Sequence, residues 1–112
     1  MKLTVFLFFF LFTSSVFSES RDFNCVFDKW FDSPIDTNVF FSLTEMEKDK
    51  TFIDNNGRKW LVFFENNKTI SLVHKTNYEG VEVIVINKTN TKITKSQTLD
   101  DLVTVIKGNC EK

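Results

Sequence analysis

The chain has 112 residues, 14 of them basic and 15 acidic, for a formal charge of −1. A chain so near neutrality lacks the electrostatic footprint of a nucleic-acid binder and has no basic patch for an anionic membrane surface. Phe occurs 14 times and Gly 3 times, while alanine, the strongest helix former, does not occur. The Thr, Val, Ile and Phe that dominate instead suit a half-buried pleated surface. An AT-rich genome also favours Lys, Asn, Ile and Phe over Ala and Gly, so the fold class rests on periodicity more than on composition.

The first residues, "MKLTVFLFFFLFTSSVFS", have the anatomy of a secretory signal peptide. Lys2 precedes an apolar run over residues 3–12, and Val16 and Ser18 occupy the small-residue positions before a cut at Glu19. That run is far shorter than the roughly 20 residues that span a bilayer, and Thr13, Ser14 and Ser15 dilute its end. Cys25 follows the charged and polar "SRDFN" rather than the apolar run of a lipid-modified cysteine. The expected organisation is a signal peptide over residues 1–18 and a single small β domain over residues 19–112. The product is expected to be exported, periplasmic or secreted, with no membrane insertion after cleavage. Loss of Lys2 takes the formal charge from −1 to −2 and leaves 94 residues, enough for one core.

Beyond Cys25, "DKWFDSPIDT" reads as a loop or a short helical turn, because Pro34 bars regular continuation. "NVFFSLT" then puts Val39, Phe41 and Leu43 on one face and Ser42 and Thr44 on the other. "TFIDNNGRKW" carries Asn56-Gly57, the pair that best accepts the positive φ angles of a type I′ hairpin turn. "RKWLVFFEN" is apolar through its centre and predicts a strand covered on both faces or lying centrally. "KTISLVHK" alternates Ile70 and Leu72 with Thr69 and Ser71. "GVEVIVINK" sets Val81, Val83 and Val85 against Glu82, Ile84 and Ile86. These periods of two mark strands, and the short polar breaks between them suit antiparallel hairpins. "SQTLDDLVTVIKG" is ambiguous: Thr98 and Asp101 could cap a helix closed by Gly108, but "LVTVI" is β-branched and favours a final strand. The expected fold is mainly β, an antiparallel meander of about six to eight strands forming a barrel or sandwich.

Export makes a disulfide the default for the two cysteines, Cys25 and Cys110. The pair would join the first and last strands, with Cα atoms within about 7 Å. Zinc would want four closely spaced ligands, and a redox dithiol would read Cys-x-x-Cys; the chain has neither pattern. His74, the single histidine, reads as structural or surface. Asp28, Asp32 and Asp36 would align only on a helix, which Pro34 interrupts, so they read as a solvated acidic loop. "DNNG" at 54–57 is a turn, with its glycine out of register for a calcium loop. Asn67 and Asn87 head two Asn-Lys-Thr sequons, used if the host is eukaryotic and chance products if it is bacterial. No catalytic, cofactor or metal residues are expected. Trp30 and Phe31 are the candidate contact aromatics, with core packing as the competing assignment. Phe41, Trp60, Phe63 and Phe64 are expected to fill the interior.

With "FNCVF" near one mature end and "VIVINKTNTKITKSQTL…IKGNCEK" at the other, the chain resembles the small uncharacterised exported β proteins of AT-rich marine bacteria. Those share a signal peptide, a cysteine near each mature end and an Ile-Asn-Lys-rich penultimate hairpin. The resemblance implies a compact β fold and carries no activity. Periplasmic lysozyme inhibitors also build small β-barrels, but their Ser-Gly-x-x-Tyr loop is missing here. The leading expectation is a monomeric, non-enzymatic binding or structural module acting on a protein or small ligand. An inhibitor of an extracellular hydrolase, using the polar "TEMEKDK" at 44–50 as its loop, is the alternative. A carrier of a small apolar ligand is the third.

Overall fold

The computed structural model describes residues 21–76 and 80–111. The predicted signal peptide, residues 1–18, lies outside the described residues. Eight strands follow in chain order: β1 (Asp22–Trp30), β2 (Ser33–Glu47), β3 (Thr51–Asp54), β4 (Lys59–Glu65), β5 (Thr69–Lys75), β6 (Gly80–Asn87), β7 (Lys92–Leu99) and β8 (Leu102–Cys110). Each pairs antiparallel with the next, and β8 returns to β1, so the sheet closes as an up-and-down barrel. Closure leaves no free sheet edge where β1 and β8 meet.

The period of two in the sequence sorts side chains between lumen and exterior. Phe27, Phe41, Leu43, Phe52, Trp60, Ile70, Leu72, Ile84, Ile86 and Ile93 all point inward and are buried. Their rings interlock: Phe27 packs on Phe41 at 5.5 Å between centroids, and Phe41 meets Trp60 edge to face at 6.2 Å. The lumen is a packed core rather than a channel, as expected for eight strands.

Cys25 and Cys110 are directly opposed across the β1–β8 seam and form a disulfide, with Cα atoms 3.8 Å apart. The bond closes a separation of 85 residues, which in the chain-entropy account stabilises the fold by about 4 to 5 kcal/mol. Two residues before it, Gly108 lies against the β1 backbone so closely that an added Cβ would sit 1.9 Å from the Val26 carbonyl oxygen.

Several expectations are corrected. "DKWFDSPIDT" is neither a loop nor a helical turn: it is the β1–β2 hairpin, with Trp30 paired to Ser33 and Pro34 opposite Lys29. Between Phe27↔Val39 and Lys29↔Pro34, β2 spends residues 35–38 against Asp28 alone. That bulge absorbs the proline without a helix. The β3–β4 connection is not a two-residue type I′ turn, because only Gly57 has positive φ (83°). Gly57 N–H donates to the Asp54 carbonyl at 2.9 Å, giving a type I turn followed by a glycine bulge. Its cause is the Asp54 carboxylate, which accepts the N–H groups of Asn56 and Arg58 at 2.9 Å each.

Residues 98–107 are strand on both sides of a tight turn at Asp100 and Asp101, so the β-branched "LVTVI" prevails over the capping pattern. "TEMEKDK" is not a free loop, since its first four residues end β2 and Glu45 is buried. Phe63 and Phe64 are not core. A register shift between Val62 and Phe64 turns both outward, leaving them 59% and 49% exposed.

Candidate binding surface

The tip of the β1–β2 hairpin carries the two aromatics singled out in the sequence. Trp30 and Phe31 are 54% and 45% exposed, and their rings stack on each other at 5.8 Å. The turn is pinned rather than loose. Phe31 N–H donates to the Val105 carbonyl at 2.7 Å, and Lys107 Nζ reaches Asp32 Oδ1 at 2.8 Å, both from β8. That contact holds the Asp32 carboxyl below its ordinary range. Phe31 itself has φ of 56°, a left-handed conformation uncommon outside Gly, Asn and Asp. Just after the neighbouring β7–β8 turn, Leu102 and Val103 at the start of β8 are also exposed. Core packing, the competing assignment for Trp30 and Phe31, does not describe either residue.

Each end of the lumen is closed by ion pairs. At the β3–β4 end, Trp60 Nε1 donates to Asp54 Oδ2 at 2.9 Å, and Arg58 joins Asp54 to Glu82 at 3.2 and 2.7 Å. Lys95 reaches the other oxygen of Glu82 at 3.2 Å and lies over the Phe41 ring. Burial pushes the Asp54 carboxyl up, but the donors on it outweigh burial and hold it below its ordinary value. At the opposite end, Arg21 binds Glu45 at 2.9 Å, Asp49 at 3.0 Å and Glu65, and Lys88 also pairs with Glu65. Hydrogen bonds from Arg21 lead the downward shift of both glutamates, against burial. The same contacts raise Arg21 further above its ordinary value. Among the described residues no buried side-chain nitrogen or oxygen lacks a partner.

The remaining sequence candidates do not converge. His74 is half-buried, stacked on Trp60 at 5.3 Å, with Nδ1 2.8 Å from the Lys59 carbonyl. Asp28, Asp32 and Asp36 lie on the β1–β2 hairpin, and among the described residues only Asp32 of the three has an ion-pair partner. Among the described residues no group of His, Cys, Asp and Glu could hold a metal ion, and no helix is long and apolar enough to cross a membrane. The two sequons, by contrast, are neighbours. Asn87 is paired with Thr69, and Lys88 N–H donates to the Lys68 carbonyl at 2.7 Å. Asn67 is exposed, whereas Asn87 is half-buried and its side-chain oxygen accepts the N–H groups of Thr89 and Asn90.

One surface was missed by sequence reasoning. Leu61, Phe63, Phe64, Ser71, Val73, Val81, Val83 and Val85 face outward on β4, β5 and β6, in register across the strands, with Ser71 covered and Lys59 and Lys75 exposed at one end. The signal was present: β4 and β6 are apolar on both faces, although only one face of a barrel wall meets the core.

No family model matches the chain, no curated protein matches it, and no solved structure matches it. The class that the fold defines is architectural: a disulfide-closed, eight-stranded antiparallel β-barrel with a packed lumen and an aromatic hairpin tip.

Proposed function

We propose that the protein is an exported, non-catalytic binding module that engages a partner protein through the Trp30–Phe31 tip. The tip itself carries this reading. Two stacked, half-exposed rings stand on a turn whose left-handed residue is Phe31, a conformation that costs roughly 1–2 kcal/mol for a residue with a Cβ. Strain retained at an exposed aromatic points to a use other than folding, and rigid aromatic anchors dominate binding hot spots. Export is supported by the leader-like residues 1–18 and by the disulfide, which suits an oxidising compartment. The non-catalytic assignment is supported by ion networks whose charges are spent on one another across the lumen ends. A packed lumen argues against the carrier reading. Its apolar filling is also the reverse of the polar interior of membrane-spanning barrels.

The test uses the exported protein as bait in the host's extracellular or periplasmic fraction, with Phe31→Asn as the comparison. Asn tolerates the left-handed turn, so this variant keeps or slightly raises the melting temperature while losing the captured partner. Capture undiminished by F31N would overturn the tip as the contact. The pinned, pre-formed turn also favours a second reading, in which the tip inserts into the cleft of an extracellular hydrolase. Inhibition of lysozymes or secreted proteases by the wild type and not by F31N distinguishes it.

A further inference from the structure

The outer face of β4–β6 presents an apolar surface that the barrel does not use. Leu61, Val73 and Val83 form one cross-strand row, and Phe64, Ser71 and Val85 form the next. Phe63 joins them through the register shift in β4, and Val81 extends the β6 column. None of these eight residues is charged. Five of them (Leu61, Phe63, Phe64, Val81 and Val85) are among the large exposed hydrophobics of the molecule. With a whole aromatic side chain presenting roughly 200 Å², the two Phe residues leave about 200 Å² in water. The aliphatic members bring the patch to on the order of 500 Å², at the upper end of what a lone soluble domain exposes.

We infer that this face is a homodimer interface, with a second copy of the chain as its occupant. The area fits that occupant. Two such patches bury about 1,000 Å² together, the lower limit for a specific protein–protein contact. Charge fits as well, because an uncharged patch meets its own copy without placing like charges opposite each other. The cations Lys59 and Lys75 lie at one end of the strands, with Lys75 paired to Val81, whereas Asp49, Glu65 and Lys88 border Phe63 and Phe64 at the other end. A two-fold axis running across the strands sets the lysine end of one copy over the Glu65 and Asp49 end of the other. It also places Phe63 and Phe64 near the partner's aliphatic row, where long side chains fill the gap left between two convex walls. Both aromatic tips remain free in this arrangement, so each dimer presents two of them and gains avidity for any partner displayed in many copies.

This association replaces the monomer expected from the sequence, and it uses a surface separate from the tip. An interface at this lower size limit predicts a weak, reversible dimer that associates in the micromolar to millimolar range. The experiment is sedimentation equilibrium of the exported protein across roughly 10 μM to 1 mM, a range chosen around that affinity. The expected result is a concentration-dependent rise toward twice the monomer mass, weakened at least about tenfold by Phe64→Lys. Amide NMR shifts of the wild type on dilution give a readout without mutation, and they should concentrate in β4, β5 and β6. A monomer throughout that range, association unaffected in a folded F64K protein, or shifts confined to the tip would each overturn the inference. The last result would mean that the copies meet through Trp30 and Phe31 instead.

Discussion

At the level of single residues, the closure of the barrel depends on a side chain that is not there. Gly108 faces β1 where an added Cβ would lie 1.9 Å from the Val26 carbonyl oxygen and 2.7 Å from the Phe27 Cα. Both atoms belong to the backbone, so no side chain can rotate out of the way. Gly108→Ala therefore has to displace β1 from β8 beside the disulfide, at a cost of about 3 kcal/mol or more. Urea unfolding should show a lower midpoint for G108A, and an unchanged midpoint would mean that the seam yields easily. Gly57 gives the opposite case, since nothing lies within 4 Å of its Cβ position and only its φ of 83° requires glycine. The sequence makes Gly108 look like a helix stop, because a close backbone approach leaves no local signature. Phe63 and Phe64 mislead in a related way: two adjacent Phe residues in an apolar run look like core, and the shift that turns both outward is set by pairing with β5.

Among the elements, the strands were the most legible part of the sequence. Alternation in "NVFFSLT" and "KTISLVHK" groups the inward Phe41, Leu43, Ile70 and Leu72, although Val39, grouped with the first two, is exposed. In "GVEVIVINK" it separates two faces without saying that Ile84 and Ile86 are the inward one. Connections were less legible, because side-chain hydrogen bonds that form only in the fold decide them. The β3–β4 hairpin shows why. Asp54 accepts the Asn56 and Arg58 N–H groups, the Arg58 guanidinium and the Trp60 indole N–H, so one buried carboxylate sets the turn and anchors the first core residue of β4. Asp54→Ala strands those donors, and the predicted loss is about 3 kcal/mol. Its signature is a change in Trp60 fluorescence together with the drop in stability, since the indole loses its partner. The β1–β2 hairpin was illegible for a similar reason. Pro34 is tolerated only because residues 35–38 bulge away from Asp28, and that bulge with Asp36 on it also discourages strand addition along β2.

For the molecule as a whole, the packed lumen supplies the core, the disulfide closes the wall, and two ion networks shut the ends. That division makes acid the condition that tests the ends separately from the wall. Glu45 and Glu65 are held below an ordinary value of 4.5, and Asp54 below 3.8. The unfolded chain therefore takes up these protons before the folded one does. The stability they contribute is complete above the ordinary carboxylate range and is lost as pH falls through that range toward their folded values. Arg21, raised in the fold, contributes stability that only strong alkali removes. The predicted profile is thus level near neutrality and falls below about pH 4.5, while the disulfide, which does not titrate, keeps the chain ends joined. Denaturant midpoints measured from about pH 7 to pH 2.5 should decline on the acid side. Glu65→Gln should lower the midpoint at neutral pH and flatten the acid decline, because it removes one of the groups that takes up a proton on unfolding. A midpoint insensitive to acid, or a Glu65→Gln decline as steep as that of the wild type, would mean that the lumen and the disulfide hold the barrel without help from its charged ends.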